Sequence, residues 1–203
     1  MTKGDLERVE ISSRAQLRRW LELNHQQAES IWLVTFKKSV PDRHVDYDSI
    51  VEEALCFGWI DSLPRALDHD RTMLRLSPRK PRSAWSKINR IRVARLLKEG
   101  KMTAAGLAAI ERAKKNGAWM RLEAIDLGEA PKDLLAAFRR HKGSKAFFDA
   151  FPPSTKRAIL EWIVQAKTPE TRSRRVEETA RLAAKNIRAN QYRQPKSATP
   201  KRT

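Results

Sequence analysis

Cysteine is nearly missing from this chain: Cys56 is the only one in 203 residues. One thiol allows no intrachain disulfide, so the fold does not depend on an oxidising compartment. Cys56 lies within an apolar helical run, where a thiol packs as a small hydrophobe. Histidine is sparse too. His25, His44, His69 and His141 form no i, i+4 pair and meet no Cys-x-x-Cys, so no metal site is expected. His69, between Asp68 and Asp70, reads as part of a solvated loop. The chain has no glycine-rich strand-to-helix loop for phosphate and no Gly-x-Ser-x-Gly elbow. Nothing local suggests a nucleophile–histidine–carboxylate relay, and no cofactor is expected. No window approaches the roughly 18 apolar residues of a membrane span. The opening residues lack the apolar core of a signal peptide. These absences predict a soluble, cytoplasmic protein without a transmembrane segment.

Negative charge is the other shortage. Against 42 Lys and Arg stand 24 Asp and Glu, a net charge of +18. Such a balance favours polyanions or acidic partners over cationic ones. The length suits one domain, or one domain with a smaller helical module.

The remaining signals predict an α+β fold: a small sheet wrapped by helices, then an all-helical C-terminal part. Ser13 to Gln16 reads as a capping box opening a helix with Leu17, Trp20 and Leu21 on one face. Ile31 to Phe36 reads as a strand buried on both faces. Asp48 is the expected cap of a helix carrying Ile50, Ala54 and Phe57, with Glu52 and Glu53 early in it, and Gly58 stops it. Short strands follow at Trp59–Asp61 and Thr72–Leu76, with a polar loop over 62–70 between them. Ser83 or Ser86 caps a helix to about Gly100, and Thr103 caps another ending at Asn116–Gly117. The expected layout is an α+β domain over 10–117, a hinge over 118–130 and a helical region over 131–189. In that region Pro131, Ser144, Ser154 and Thr168 open helices, and Val176, Ala180, Ala183 and Ile187 stripe the last one. A disordered basic tail is expected over 190–203.

Two stretches stand out as candidate sites. The first, Ala54 to Asp61, is apolar and closes on a carboxylate. The second, Arg75 to Asn89, lies in a run, Arg71 to Lys101, that holds eleven Lys or Arg and one acid, Glu99. Arg79, Lys80 and Arg82 sit in a proline-constrained loop ahead of a helix start, a pattern suited to an anion. If the strand faces allow it, Asp61 and Arg75 pair on the sheet, either as a structural bridge or within a pocket floored by Trp59 and Trp85 and reached by Asn89. Ser86 completes the candidate set. No recognition-helix, RNP or zinc-finger pattern is present, so any nucleic-acid contact would be sequence-blind and salt-dependent.

At these residues the chain resembles a family. Ala54-Leu-Cys-Phe-Gly-Trp-Ile-Asp61, Arg79-x-x-Arg82-Ser-x-Trp-Ser86-Lys-x-Asn89 and Met102-Thr-x-x-Gly106 look like the YdeI/OmpD-associated (OmdA) family of bacteriocin-protection proteins. So do Phe147-Phe148, Pro-x-Ser154 with Ala158-Ile, and Ala166-Lys-x-Pro-Glu170-Thr-Arg172-x-x-Arg175. The resemblance spans about residues 10–190. It implies association with an outer-membrane porin and protection against bacteriocins or cationic antimicrobial peptides, and it brings no catalytic activity or cofactor. A chain this positive repels cationic peptides, which favours an anionic ligand or a protein partner met through the basic face. The alternatives are an enzyme of unknown reaction using the Trp59/Asp61/Arg75/Trp85 pocket, or a nonspecific nucleic-acid binder.

Overall fold

The computed structural model describes residues 6–194. The chain divides into two compact units, Met1–Met120 and Arg121–Thr203. Among the described residues no helix is long and apolar enough to cross a membrane.

The first unit is α+β. Its strands are β1 (Arg8–Glu10), β2 (Ile31–Phe36), β3 (Trp59–Ala66) and β4 (Arg71–Pro78), and its helices α1 (Arg14–Asn24), α2 (Tyr47–Cys56), α3 (Lys87–Lys98) and α4 (Ala104–Lys115). The strands form one sheet in the order β1-β2-β4-β3. β1 runs parallel to β2; the other pairings are antiparallel. All six residues of β2 are buried, as expected of a central strand with both faces covered. Its alternate residues feed two clusters. Ile31 and Leu33 join the main core with Leu17, Leu21, Trp59, Leu76 and Trp85. Trp32 and Val34 pack with Met73 on the opposite face.

Several expectations need correcting here. β1 went unread because three residues flanked by charge carry no periodic signal. β3 does not stop at Asp61 but runs to Ala66, through Pro64. That is permitted because β3 is an edge strand and its register with β4 shifts between Asp61 and Pro64, so the missing proline N–H breaks no central ladder. The cap of α2 is Asp46, whose carboxylate accepts from the Ser49 amide at 2.8 Å, not Asp48. Glu52 and Glu53 therefore lie mid-helix. The box at α1 is displaced by one residue: Ser13 accepts from the Gln16 amide at 3.2 Å, while Gln16 Oε1 accepts from the Ser12 amide at 2.8 Å. Of the two serines offered for α3, Ser86 is the cap.

The second unit is helical: α5 (Glu123–Asp126), α6 (Lys132–Arg140), α7 (Ser144–Ala150), α8 (Pro153–Val164) and α9 (Pro169–Ala183). Its core joins Leu134 and Phe138 of α6, Phe148, Ile159 and Ile163, and Val176 and Ala180 of α9. Phe148 touches both Phe138 and Phe151, with ring centroids 5.1 and 6.0 Å apart. Pro131 is the N-cap of α6, one position before the first-turn place expected for it, and the cap of α8 is Pro152, two residues before the expected Ser154. Ile187 falls outside the stripe, because α9 ends at Ala183 and Asn186 turns left-handed (φ 56°). Of the tail, residues 195–203 lie outside the described residues. The Gln194 amide, within it, donates to the carbonyls of Arg188 (3.1 Å) and Gln191 (2.7 Å).

Candidate functional site

The motif stretches of the first unit converge on the end of α2. After Cys56 the chain turns through Gly58 at φ 75°, a conformation that glycine adopts without a Cβ penalty. The turn also lets α4 approach, since a Cβ on Gly58 would stand 3.1 Å from Ala109 Cβ and 3.2 Å from the Ala105 carbonyl oxygen. Thr103 fastens the start of α4 to the same place. Its hydroxyl donates to the Cys56 carbonyl (2.6 Å) and accepts from the Gly106 amide (3.4 Å). A methyl on Gly106 would run into the Cys56 carbonyl. The Met102-Thr-x-x-Gly106 pattern is thus a docking device between two helix ends. Cys56 itself is buried, and burial pushes its thiol up to about 11, with the Glu53 charge adding to the effect. A thiol so protonated is a poor nucleophile.

Arg79 follows directly on β4, and its amide donates to the Gly58 carbonyl at 2.9 Å. Its side chain folds inward and is 8% exposed. The guanidinium carbon stands 3.6 Å from the centroid of the Trp85 ring, a stacked cation–π contact. Nη1 donates to the Ala84 carbonyl at 3.4 Å. Nε and Nη2 are buried and have no hydrogen-bond partner among the described residues. Burial lowers the guanidinium pKa to about 10, and the Asp61 carboxylate works against that fall.

Arg79 lines an open cleft of about 410 Å³ beside Gly58. His25, Gln26 and Arg112 are its other polar residues. Its apolar walls are Phe57, Trp59 and Pro78 on one side and Ala104, Ala105 and Ala108 of α4 on the other. Trp59 is wholly buried, in edge contact with Trp20 at 5.7 Å, and its indole N–H donates to the His25 carbonyl at 3.0 Å. That bond ties the turn after α1 to the start of β3. His25 Nδ1 lies 3.0 Å from the Leu21 carbonyl, which can only accept, so Nδ1 carries the proton.

Of the residues singled out in the sequence, the cleft therefore gathers Trp59 and Arg79. Asp61 and Arg75 do not meet. Asp61 is paired in register with Leu76, on the main-core face, whereas Arg75 opposes Trp32 on the other face. Alternation along β4 separates them. Asp61 accepts instead from the Tyr47 hydroxyl at 2.6 Å, and Arg75 donates to Ser30 at 3.2 Å. Trp85 is 1% exposed and packs on Trp119 at 4.9 Å. Ser86 and Asn89 work locally: Ser86 caps α3 on the Asn89 amide, and Asn89 Oδ1 accepts from Arg92 at 2.9 Å. Arg82 is exposed. His25, Gln26, Arg112 and the three alanines were missed, because they lie far from Arg79 in sequence and carry no local pattern.

The basic run is not one open face. Arg71 pairs with Asp68 (2.7 Å) and Glu10 (2.6 Å), and Lys101 with Glu99 (2.7 Å). Arg92 and Arg95 turn toward α2 and pair with Asp48 and Glu52. Glu53, beside Glu52, is 2% exposed and accepts from Arg14 (2.7 Å) and Arg18 (3.0 Å) of α1. A second hollow of about 320 Å³ is lined by such pairs, Glu10 with Arg43 and Arg71, and Asp68 with Arg71, beside His69. Among the described residues no cluster of three or more His, Cys, Asp or Glu could hold a metal ion.

In the second unit the motif residues hold helices together. Arg172 grips Asp133 with two bonds (2.7 and 3.1 Å), fixing α9 to α6. Arg175 donates to the Trp162 carbonyl and lies over its ring at 4.9 Å, fixing α9 to α8.

Fold and site together define a two-unit protein: an α+β unit with a buried guanidinium beside a cleft, and a helical unit knit by arginine bridges. Residues 128–186 match the family model described as bacteriocin-protection, YdeI or OmpD-associated (OmdA). Residues 9–109 match a different one, described only as a domain of unknown function (DUF8412). The OmdA match is thus narrower than the resemblance read over residues 10–190, and the cleft residues other than Arg112 lie within the other match. No curated protein and no solved structure matches the chain.

Proposed function

We propose that this is a non-enzymatic protection protein, acting against bacteriocins or antimicrobial peptides, whose first unit binds an anionic ligand or partner at Arg79. The OmdA match over 128–186 supports the role at the level of the family. The observation that carries the binding is the Nε/Nη2 edge of Arg79, buried without an acceptor. Taking a guanidinium from 12.5 to about 10 corresponds to about 3 kcal/mol lost at neutral pH. A group held at that cost with its Nε/Nη2 edge unpaired is a candidate for function, because a bound anion would restore what burial removes. The net charge of +18 favours an anion over a cationic peptide as the thing bound.

Deleting the gene and challenging the cells with antimicrobial peptides or bacteriocin tests the reading. Complementation with wild type should restore protection, and Arg79→Met should fold and fail to restore it. Full protection by a folded Arg79→Met protein would remove Arg79 from the function.

A further inference from the structure

The cleft beside Gly58 offers more than a charge. Nε and Nη2 share one edge of the guanidinium, with their N–H bonds nearly parallel, so they match two oxygens of one carboxylate or phosphate. Besides Arg79 and the polar His25, Gln26 and Arg112, the cleft is lined by apolar Phe57, Pro78, Ala104, Ala105 and Ala108. Its width depends on those alanines, since the backbone of α4 is already fixed close to Gly58 and Cys56. About 410 Å³ falls at the small end of the range for small-molecule sites, roughly 300–1,000 Å³. Arg112, also on the cleft, is exposed and makes no side-chain ion pair or hydrogen bond among the described residues.

We infer that the cleft takes a small molecule bearing one oxyanion group on a compact apolar body. The oxyanion sits on the Nε/Nη2 edge of Arg79, and the body lies between Phe57, Pro78 and the three alanines. The inference rests on the reading of Arg79 given above and adds the chemistry of what it binds. Both nitrogens are closed off by protein, so the ligand has to displace what covers that edge, and the neighbouring 80–84 loop is the segment bonded to the same guanidinium. The loop is held by Arg79 Nη1 to the Ala84 carbonyl, long at 3.4 Å, and by Asn116 Nδ2 to the Pro81 carbonyl at 2.8 Å, so the movement gives up the weaker bond and keeps the Asn116 anchor.

Calorimetric titration of the full chain with benzoate, acetate, phenyl phosphate, inorganic phosphate and benzyl alcohol tests it. Benzoate should bind about tenfold tighter than acetate, or phenyl phosphate about tenfold tighter than inorganic phosphate. Whichever pair shows the preference identifies the head group. Benzyl alcohol, a body without charge, should not bind. Ala108→Phe should erase the preference of benzoate over acetate or of phenyl phosphate over inorganic phosphate, and Arg79→Met should erase all binding. Equal affinity for benzoate and acetate, and for the two phosphates, would overturn the apolar body but keep Arg79 as an anion site. Binding that survives Arg79→Met, or no binding by any probe, would overturn both. Should Arg79→Met not fold, the Ala108→Phe protein and the paired probes still decide.

Discussion

The first unit buries charge in two places, and it treats them oppositely. Around α2, Glu52 and Glu53 are met by Arg14, Arg18 and Arg95, arriving from α1 and α3. Around the Gly58 turn, Arg79 is as deeply buried, yet two of its nitrogens have nothing to donate to, and the carboxylate that supports it, Asp61, gives its hydrogen-bonding oxygen to Tyr47. The first arrangement joins three helices and is a structural bridge. The second is destabilised as it stands. Arg14 shows the same contrast from within the bridge. Burial works against its charge, but the hydrogen bond and charge of Glu53, with Glu52 beside it, more than compensate, and its pKa ends up raised. For Arg79 the charge of Asp61 does not offset burial, and its pKa falls. Arg14 is about a third exposed where Arg79 is 8% exposed, and Arg14 Nη2 is itself buried without a partner among the described residues, so what separates the two is depth together with a carboxylate in hydrogen-bonding reach.

The largest effect expected from that contrast follows Glu53→Gln. The Glu53 side chain is 3% exposed and faces two arginines that are about a third exposed. Removing the carboxylate leaves both cations under-compensated, which should cost about 3 kcal/mol, the low end for breaking a buried pair because water reaches the arginines. Urea denaturation reads this directly. A loss under about 1 kcal/mol would mean that the bridge is no better satisfied than Arg79.

Arg79→Met should move the other way. Losing the charge removes the burial cost of about 3 kcal/mol, while losing the stack on Trp85 gives up about 2 kcal/mol. The variant should be more stable than wild type by about 1 kcal/mol in the same urea experiment. Destabilisation by about 2 kcal/mol or more would show that the Trp85 stack is the reason for Arg79, and would make the two regions alike.

Much of this difference could not be read along the chain. The central burial of β2 and the caps at Ser13, Ser86, Thr103 and Thr168 were legible, because caps and strand burial are written in a few adjacent residues. Arg79 was legible as a candidate from its proline-bounded, cationic loop. What it binds to was not. The pairing of Asp61 with Arg75 failed because the face of Asp61 depends on its register against β4, and register across a hairpin with a shift between Asp61 and Pro64 is a tertiary property. The basic run seemed a single face because the acids that pair with it, Asp48 and Glu52, lie some forty residues earlier.

The smallest effect, and the one that probes the link between the two regions, is Asp61→Asn. Burial first, and then the hydrogen bond to Asp61, push the Tyr47 phenol up to about 12. For an acid whose pKa is raised by folding, the stabilisation is complete below the unfolded value near 10 and fades as pH climbs from there to about 12. Asn at 61 should bring the Tyr47 ionisation back toward 10, visible in ultraviolet pH titration. The stability lost should stay under about 1 kcal/mol, since Tyr47 is half exposed. The same change deprives Arg79 of the charge that supports it, so it should cost more in wild type than in an Arg79→Met background. That difference is the coupling between Asp61 and Arg79. Equal costs in the two backgrounds would mean that Asp61 serves Tyr47 alone, and that nothing within the first unit compensates Arg79.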